Sequence, residues 1–332
     1  MLASVTIGLY VCLKTFEAME RLEKLSYRQA EALFKNSGPF IHLNTSHLES
    51  DLLVENDEDR TVILNMIALL SAEHKTEVLA YAIMSNHLHL ILRGNAVTGR
   101  EFFERLAARI SRYLASKGKP GIMKDVTCTI TPIASLKQFR DEIVYVIRNP
   151  FVVRDDIHLF AYRWCSGYLY FNPMLPADAG KPAAKASYRE RRIITRSSDN
   201  SIPENFRIDD TLLLPESFVN YRLVESLFDN ARQFLFWALK NVEAQVEIAH
   251  QHGEIPHLSD DEMFIQSRQI CETEYGVKKP ELLGDAQKKE LAVTLRNRYH
   301  ASNGQIARFT SLSLLEVNKL YPLSAKSAAE KL

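Results

Sequence analysis

The stretch from Val78 to Arg93 constrains the fold more than any other. Between Val78 and Leu92 every residue is apolar except Ser85, Asn86, His87 and His89. A run of that kind, interrupted once, reads as two strands meeting near Ser85-Asn86.

The flanking segments extend this into a pattern. Charged and apolar residues alternate with helical spacing from Met19 to Lys35, and Ser37-Gly38-Pro39 stops that helix. Phe40 to Thr45 reads as a first strand. Asp57 to Ala72 reads as an amphipathic helix with Val62, Ile63, Met66, Ile67 and Leu70 on one stripe. After the paired strands, a helix from about Gly99 to Ser116 ends at Lys117-Gly118-Lys119-Pro120. The β-branched residues between Asp125 and Pro132 predict a further strand. Another helix, about Ser135 to Arg148, is expected to stop at Asn149-Pro150. Strand, helix, two strands, helix, strand, helix is an α+β, ferredoxin-like order with an added helix: an antiparallel sheet with helices on one face.

That domain is expected over residues 38–175, behind an N-terminal helical extension at 1–37. Residues 176–203, rich in Pro, Ala, Lys, Arg and Ser, read as a linker. Residues 204–332 are expected to form a mostly helical domain, with one or two helices over Glu216–Ala249. Ser259-Asp-Asp-Glu262 has the form of a capping box, and a final helical unit covers about Asp285 to Tyr321. No internal repeat is present.

Composition narrows the functional classes. Hydrophobic residues are 46% and charged residues 25% of the chain, which excludes low-complexity disorder over most of its length. Cys12, Cys128, Cys165 and Cys271 are far apart with no CxxC pair, which argues against a zinc ribbon or a disulfide framework and suits a reducing cytosol. The formal net charge is zero, yet basic residues outnumber acidic ones by 18 to 9 between Arg93 and Arg192. A local surplus of that sign is what a polyanionic partner requires. Met1 to Leu13 is apolar but too short to span a bilayer, with no basic residue ahead of it. It reads as a poorly formed signal peptide or as an extension before a start at Met19. No other segment is long and apolar enough for a membrane span, so a cytoplasmic location is expected.

Two motifs carry chemistry. His87 and His89 flank Leu88, and in a strand residues i and i+2 share a face, so both imidazoles can serve one divalent ion while Leu88 packs on the other side. The bland alternative is a pair of strand histidines with no ligand. His250-Gln251-His252 has the same spacing where a helix ends before Gly253, and there the two rings do not share a face. The second motif is Tyr145 with Asn149, four apart on a helix and so neighbours on its surface. A phenol with a pKa of about 10 is a weak nucleophile alone. Beside a metal-polarised phosphodiester it becomes competent, and the Asn149 amide oxygen can complete the metal's ligand set. The alternative for this pair is a core tyrosine and a helix-capping asparagine.

Taken together, Met84-Ser-Asn-His-Leu-His-Leu90 and, about 55 residues on, Tyr145-Val-Ile-Arg-Asn-Pro150 resemble the single-tyrosine HUH transposases. More narrowly, the chain is similar to the REP-associated tyrosine transposases. Arg163-Trp164-Cys165-Ser166 resembles the Trp-Ser-Ser stretch that closes their catalytic domain, and the likeness spans about Gly38 to Pro173. The chain departs from that family at Ser85, where proline is frequent, at Cys165, at Phe151-Val-Val-Arg154 and at Gly121-Ile-Met-Lys124. The resemblance implies a ferredoxin-like catalytic domain, a homodimer, and single-stranded DNA next to hairpins as substrate. It assigns His87, His89 and Asn149 to a divalent metal, Mg²⁺ or Mn²⁺, and Tyr145 to the nucleophile. No small-molecule cofactor and no membrane partner are expected. Arg93, Arg105, Arg109, Arg112, Lys124, Arg148, Arg154 and Arg163 are the candidates for tracking the DNA backbone.

Ser302–Arg308 followed by Ser313–Leu320 resembles a helix-turn-helix whose turn lacks the usual glycine. Ile306, Ala307, Leu315, Val317 and Leu320 would pack its helices, and Asn318 and Lys319 would face DNA. A small bundle used for packing or dimerisation is the alternative. Phe234, Phe236 and Trp237 read as core. Two further readings stay open for the whole chain. One is a domesticated hairpin-binding regulator that does not transpose. The other is a nicking enzyme of replication or plasmid transfer, although the chain has no helicase P-loop.

Overall fold

The computed structural model describes residues 25–46, 53–124, 126–153, 162–176, 179–240, 248–249, 251, 258 and 260–322. The Met19–Tyr27 part of the first expected helix, most of the His250–His252 motif, Ser259 and Arg154 lie partly or wholly outside them. Two units are distinguished, Met1–Asn241 and Val242–Leu332. Among the described residues, no helix is long and apolar enough to cross a membrane.

The expected hairpin is present in the first unit as β2 (Val78–Ile83) and β3 (Leu88–Arg93), joined by a tight turn in which the Met84 N–H donates to the His87 carbonyl. Strand β1 (Phe40–Thr45) lies between β3 and β4 (Cys128–Ile133), giving an antiparallel sheet of order β2-β3-β1-β4. That is the ferredoxin-like strand order.

One face of the sheet carries the two crossover helices, α2 (Asp57–Glu73) and α3 (Ala96–Ser116). Leu43, Leu88, Leu90 and Leu92 point to this side and form one core with Ile63, Ile67, Leu70, Phe102, Leu106 and Ile110. Leu88, between the two histidines, is thus packed away from them. Helix α3 approaches so closely that a Cβ on Gly99 would come within 2.5 Å of Ile41 Cδ1, which glycine alone avoids. The buried Asp59 carboxylate ties the two helices together, accepting from the Tyr113 hydroxyl at 2.6 Å and from Lys117 Nζ at 2.5 Å.

The opposite face is covered by α1 (Tyr27–Ser37) and the added helix α4 (Leu136–Val153). Ala30, Phe34, Phe40, Ala82, Ile91, Phe139, Ile143 and Ile147 form its core. The N-terminal helix is thus part of this domain and not an appendage to it. Helix α4 also runs past the expected stop at Asn149-Pro150, with Pro150 inside it. Proline cannot donate to the carbonyl four residues earlier, that of Val146. The Cys165 thiol, a weak donor, lies 3.9 Å from that oxygen. The Arg163–Ser166 stretch closes the free edge of β2: Ile83 N–H donates to the Trp164 carbonyl and Tyr81 N–H to Ser166 Oγ.

Residues 176–203 are not a linker. Lys181–Pro182 (β5), Arg207–Asp209 (β6) and Leu212–Leu213 (β7) form a small sheet of order β5-β6-β7, with helix α5 (Tyr188–Thr195) between the first two strands. Ala183, Ile194, Ile202, Phe206 and Leu213 pack on Ala68 and Leu69 of α2. Helices α6 (Tyr221–Ser226) and α7 (Ala231–Lys240) complete the unit, and Phe228 and Phe234 join the α4 core. Of the aromatic cluster expected in the core, Phe234 is buried and Trp237 partly so, whereas Phe236 is exposed. The division of the chain therefore falls after Asn241 and not near residue 203.

Among the described residues, the second unit packs α8 (Asp260–Glu274), α9 (Asp285–Tyr299), α10 (Asn303–Thr310) and α11 (Leu314–Leu320) around Met263, Ile270, Leu291, Leu295, Tyr299, Ile306 and Val317. Capping boxes at Ser302/Gln305 and Ser313/Glu316 set the starts of α10 and α11. Leu315 and Leu320, expected to pack these helices, are exposed instead.

Candidate active site

The expected catalytic residues converge on the α4 face of the sheet. His87 sits in the turn just before β3. Its Nδ1 lies 2.8 Å from Asn86 Oδ1, an acceptor, so the ring hydrogen is on Nδ1 and the lone pair on Nε2. Nε2 lies 3.4 Å from Asn149 Oδ1, which comes from α4, 62 residues later. In a neutral ring with its hydrogen on Nδ1, Nε2 and Oδ1 are both electron-pair donors that one cation can bridge. Their separation suits neighbouring ligands of one ion, since metal–oxygen bonds of roughly 2.1 Å at right angles span about 3 Å. The donor set thus fits a small divalent ion. Among the described residues no cluster of three or more His, Cys, Asp or Glu side chains could hold a metal, so such a site depends on the Asn149 amide.

His89, two residues on, faces the same side. Its ring centroid is 4.9 Å from that of His87, with the planes nearly perpendicular. Tyr145 stacks edge-on against His89 at 5.7 Å and lies 6.1 Å from His42. Tyr145 is one helical turn before Asn149, which is why a single helix face delivers both. The rings are well covered, with Tyr145 8% exposed and His87 2%, while Asn149 is half-buried. Arg148, on the same helix, is buried too, and desolvation pushes its guanidinium pKa down to about 10.

Two residues of this cluster are not marked by any motif. His42, in β1, pairs across the sheet with Ile91 while its neighbour Asn44 pairs with His89, so His42 and His89 are diagonal neighbours on one face. Glu142 lies three residues before Tyr145. Its Oε2 is 2.6 Å from His42 Nδ1, and His42 Nε2 is 3.2 Å from His89 Nδ1. The available signals were the i, i+3, i+7 spacing of Glu142, Tyr145 and Asn149, and a polar residue two before Asn44 in a strand otherwise suited to the core.

The basic residues expected to bind DNA are mostly elsewhere. Arg105, Arg109 and Arg112 lie on α3, which packs on the other face of the sheet. Arg109 is held by both oxygens of Glu73 at 2.7 Å, and Arg112 Nε donates to the Ala108 carbonyl. Arg93 ends β3, roughly 20 Å along the strand from His87 at about 3.3 Å per residue, and pairs with Glu77. Lys124 is exposed in a short 3-10 turn, and Arg163 is exposed with its guanidinium 5.5 Å from the Trp164 ring. Among the described candidates, Arg148 is the one on the helix that carries Tyr145 and Asn149. In the second unit, Asn318 does not point outward unpaired: its Oδ1 accepts from Asn303 Nδ2 at 2.8 Å. Lys319 is exposed on α11, as are Leu314, Leu315 and Leu320.

Cys165 stands where a serine is frequent in the resembled family. Burial pushes its thiol up to about 12, so it remains protonated and supplies no thiolate.

No protein-family model matches this chain, and no curated protein matches it. Among solved structures, the chain is similar to a REP-associated tyrosine transposase bound to a REP hairpin. The likeness has 13% identity, covers 40% of this chain and 78% of that one, and has a TM-score of 0.31. Likeness at that level is distant.

Proposed function

We propose that this chain is a metal-dependent, single-strand DNA transposase of the HUH type that cleaves and rejoins DNA through Tyr145. The observation that carries the reading is the convergence of His87, His89, Tyr145 and Asn149, from a turn, a strand and a helix, on one face of a ferredoxin-like sheet. Chance placement of a tyrosine beside two histidines and an amide oxygen is the rival.

In this reading His87, His89 and Asn149 hold Mg²⁺ or Mn²⁺, which when bound polarises the scissile phosphate and favours the phenolate. Tyr145 Oη attacks phosphorus, a tyrosyl–phosphate bond forms and the P–O3′ bond breaks. The phenolic proton is lost and the leaving 3′-oxygen gains one, so a 5′-phosphotyrosine and a free 3′-hydroxyl result. Attack by another 3′-hydroxyl reverses the step and joins a new strand with no external energy source. Hairpin-flanked single strands are the substrate class that the motif resemblance implies. Tyr145 is 8% exposed, so little of the residue faces solvent.

That burial also favours a second reading, a hairpin-binding regulator in which the cluster is retained but no strand is cut. Incubation with labelled single-stranded hairpins from the DNA flanking its own gene, with and without Mn²⁺, separates the two. The transposase reading expects a denaturation-resistant adduct that needs metal and disappears in Tyr145→Phe. Salt-dependent hairpin binding with no adduct under any metal condition overturns it in favour of the regulator.

A further inference from the structure

Glu142, His42 and His89 form a chain of three side chains with no solvent exposure. Glu142 Oε2 is 2.6 Å from His42 Nδ1, and His42 Nε2 is 3.2 Å from His89 Nδ1. We infer that Glu142 and His42 are positioning residues for the site: they fix the His89 ring and select the tautomer whose Nε2 can coordinate a metal. This rests on the reading of His87, His89 and Asn149 as ligands.

An ionised carboxylate only accepts, so His42 carries its hydrogen on Nδ1. With His42 neutral, its lone pair is on Nε2 and accepts from Nδ1–H of His89. With its hydrogen on Nδ1, His89 has its lone pair on Nε2. His87 reaches the same state by a separate route, because Asn86 Oδ1 takes its Nδ1–H at 2.8 Å. Two histidines with different partners are thus both set to coordinate through Nε2. Carboxylate–histidine contacts behind a metal ligand do this in many metalloproteins. Here a second imidazole lies between the carboxylate and the ligand.

The arrangement is poorly explained as a stabilising device. Phe40, Ile91 and Ile143 share this interface, so the surroundings suit apolar side chains. Burying a carboxylate there has a desolvation cost that a well-packed hydrophobic substitute would not have. A strand and a helix carry the two positioning residues, which holds the geometry more firmly than loops would.

The test is a Mn²⁺ titration of the full chain, read from the free-ion signal in electron paramagnetic resonance and with no DNA present. His42→Phe keeps bulk but removes the acceptor, and Mn²⁺ affinity is expected to fall about 10–100-fold. His42→Gln places an amide oxygen near the former Nε2 and is expected to recover most of that loss. A folded His42→Phe protein with wild-type affinity overturns the inference. A second measurement needs no variant: ¹⁵N NMR of the His89 ring in the Mg²⁺-loaded wild type should show the hydrogen on Nδ1, and a hydrogen on Nε2 overturns the inference as well. If the wild type binds no Mn²⁺, or binds it equally well after His87→Ala, the metal reading itself fails and takes this inference with it.

Discussion

Asn65 offers a sharp test of where the first domain ends. It lies on α2, is buried, and uses both ends of its amide: Nδ2 donates to the Thr211 carbonyl at 2.7 Å, and Oδ1 accepts from the Leu213 N–H at 2.8 Å. These bonds pin the β6–β7 hairpin to α2, and Leu213 is wholly buried. Asn65→Ala leaves both backbone groups without that partner and opens a small cavity. A buried polar group left unsatisfied costs about 1–3 kcal/mol, so the loss of both is expected to cost roughly 3 kcal/mol after partial relaxation. For a domain of this size that lowers Tm by about 6–12 °C. The assay is thermal unfolding of the full chain followed by circular dichroism, with Asn65→Asp alongside. Aspartate keeps an acceptor for Leu213 but turns a second oxygen toward the Thr211 carbonyl, so it too is expected to destabilise. A Tm for Asn65→Ala within about 1 °C of wild type would refute the claim that residues beyond 203 are integral to this domain. The alanine variant, assayed well below its Tm, should retain adduct formation, because α2 covers the sheet face away from Tyr145.

Asp59 is predicted to make stability depend on acid. Burial opposes its charge, but Lys117, Tyr113 and the Glu55 N–H outweigh it and hold the pKa below the usual carboxylate value. A depressed folded pKa contributes stability that is present above the unfolded value of about 3.9 and is lost as pH falls through the folded one. The urea midpoint of wild type should therefore drop more steeply below about pH 4 than that of Asp59→Asn, and parallel curves would exclude this coupling. Arg109→Ala is predicted to change hairpin affinity and its salt slope very little, since Glu73 already holds the guanidinium; a fall in the slope of about one would restore Arg109 as a phosphate contact. Cys165 is predicted to resist thiol reagents in the native protein and to react on unfolding, because its thiol is buried and raised to about 12. Fast native modification at that position would contradict its placement behind α4.

Much of the first domain could be read from residue patterns because its strands are short, apolar and separated by strong turn residues. Phe40–Thr45 has the bounds expected for it, and the Ser85-Asn86 break does mark the hairpin turn. Elsewhere tertiary contacts overrode local signals. Pro150 is a strong helix stop in isolation, yet the helix persists where the Cys165 thiol lies beside the Val146 carbonyl. Residues 176–203 resemble a linker because their anchors, Ala183, Ala186 and Ile194, are small or widely spaced among Pro, Lys and Arg, and only contact with α2 makes them a core. At the site, the His87–His89 pair and Tyr145–Asn149 were legible from spacing within single elements. His42 and Glu142 were not, because their partnership crosses 100 residues and exists only once β1 and α4 meet. Arginines on α3 misled for a related reason: a charge count along the chain does not reveal that Glu73 neutralises one of them or that the helix covers the other face.

The central claim is that Tyr145 is the residue that takes up DNA, and attachment-site mapping tests it most directly. Wild-type protein is reacted with a hairpin-flanked single strand and Mn²⁺, treated with nuclease, digested with protease, and the nucleotide-bearing peptide is sequenced by mass spectrometry. The account predicts a nucleotide remnant linked through its 5′-phosphate to Tyr145. A remnant on any other residue, or one linked through a 3′-phosphate, contradicts it.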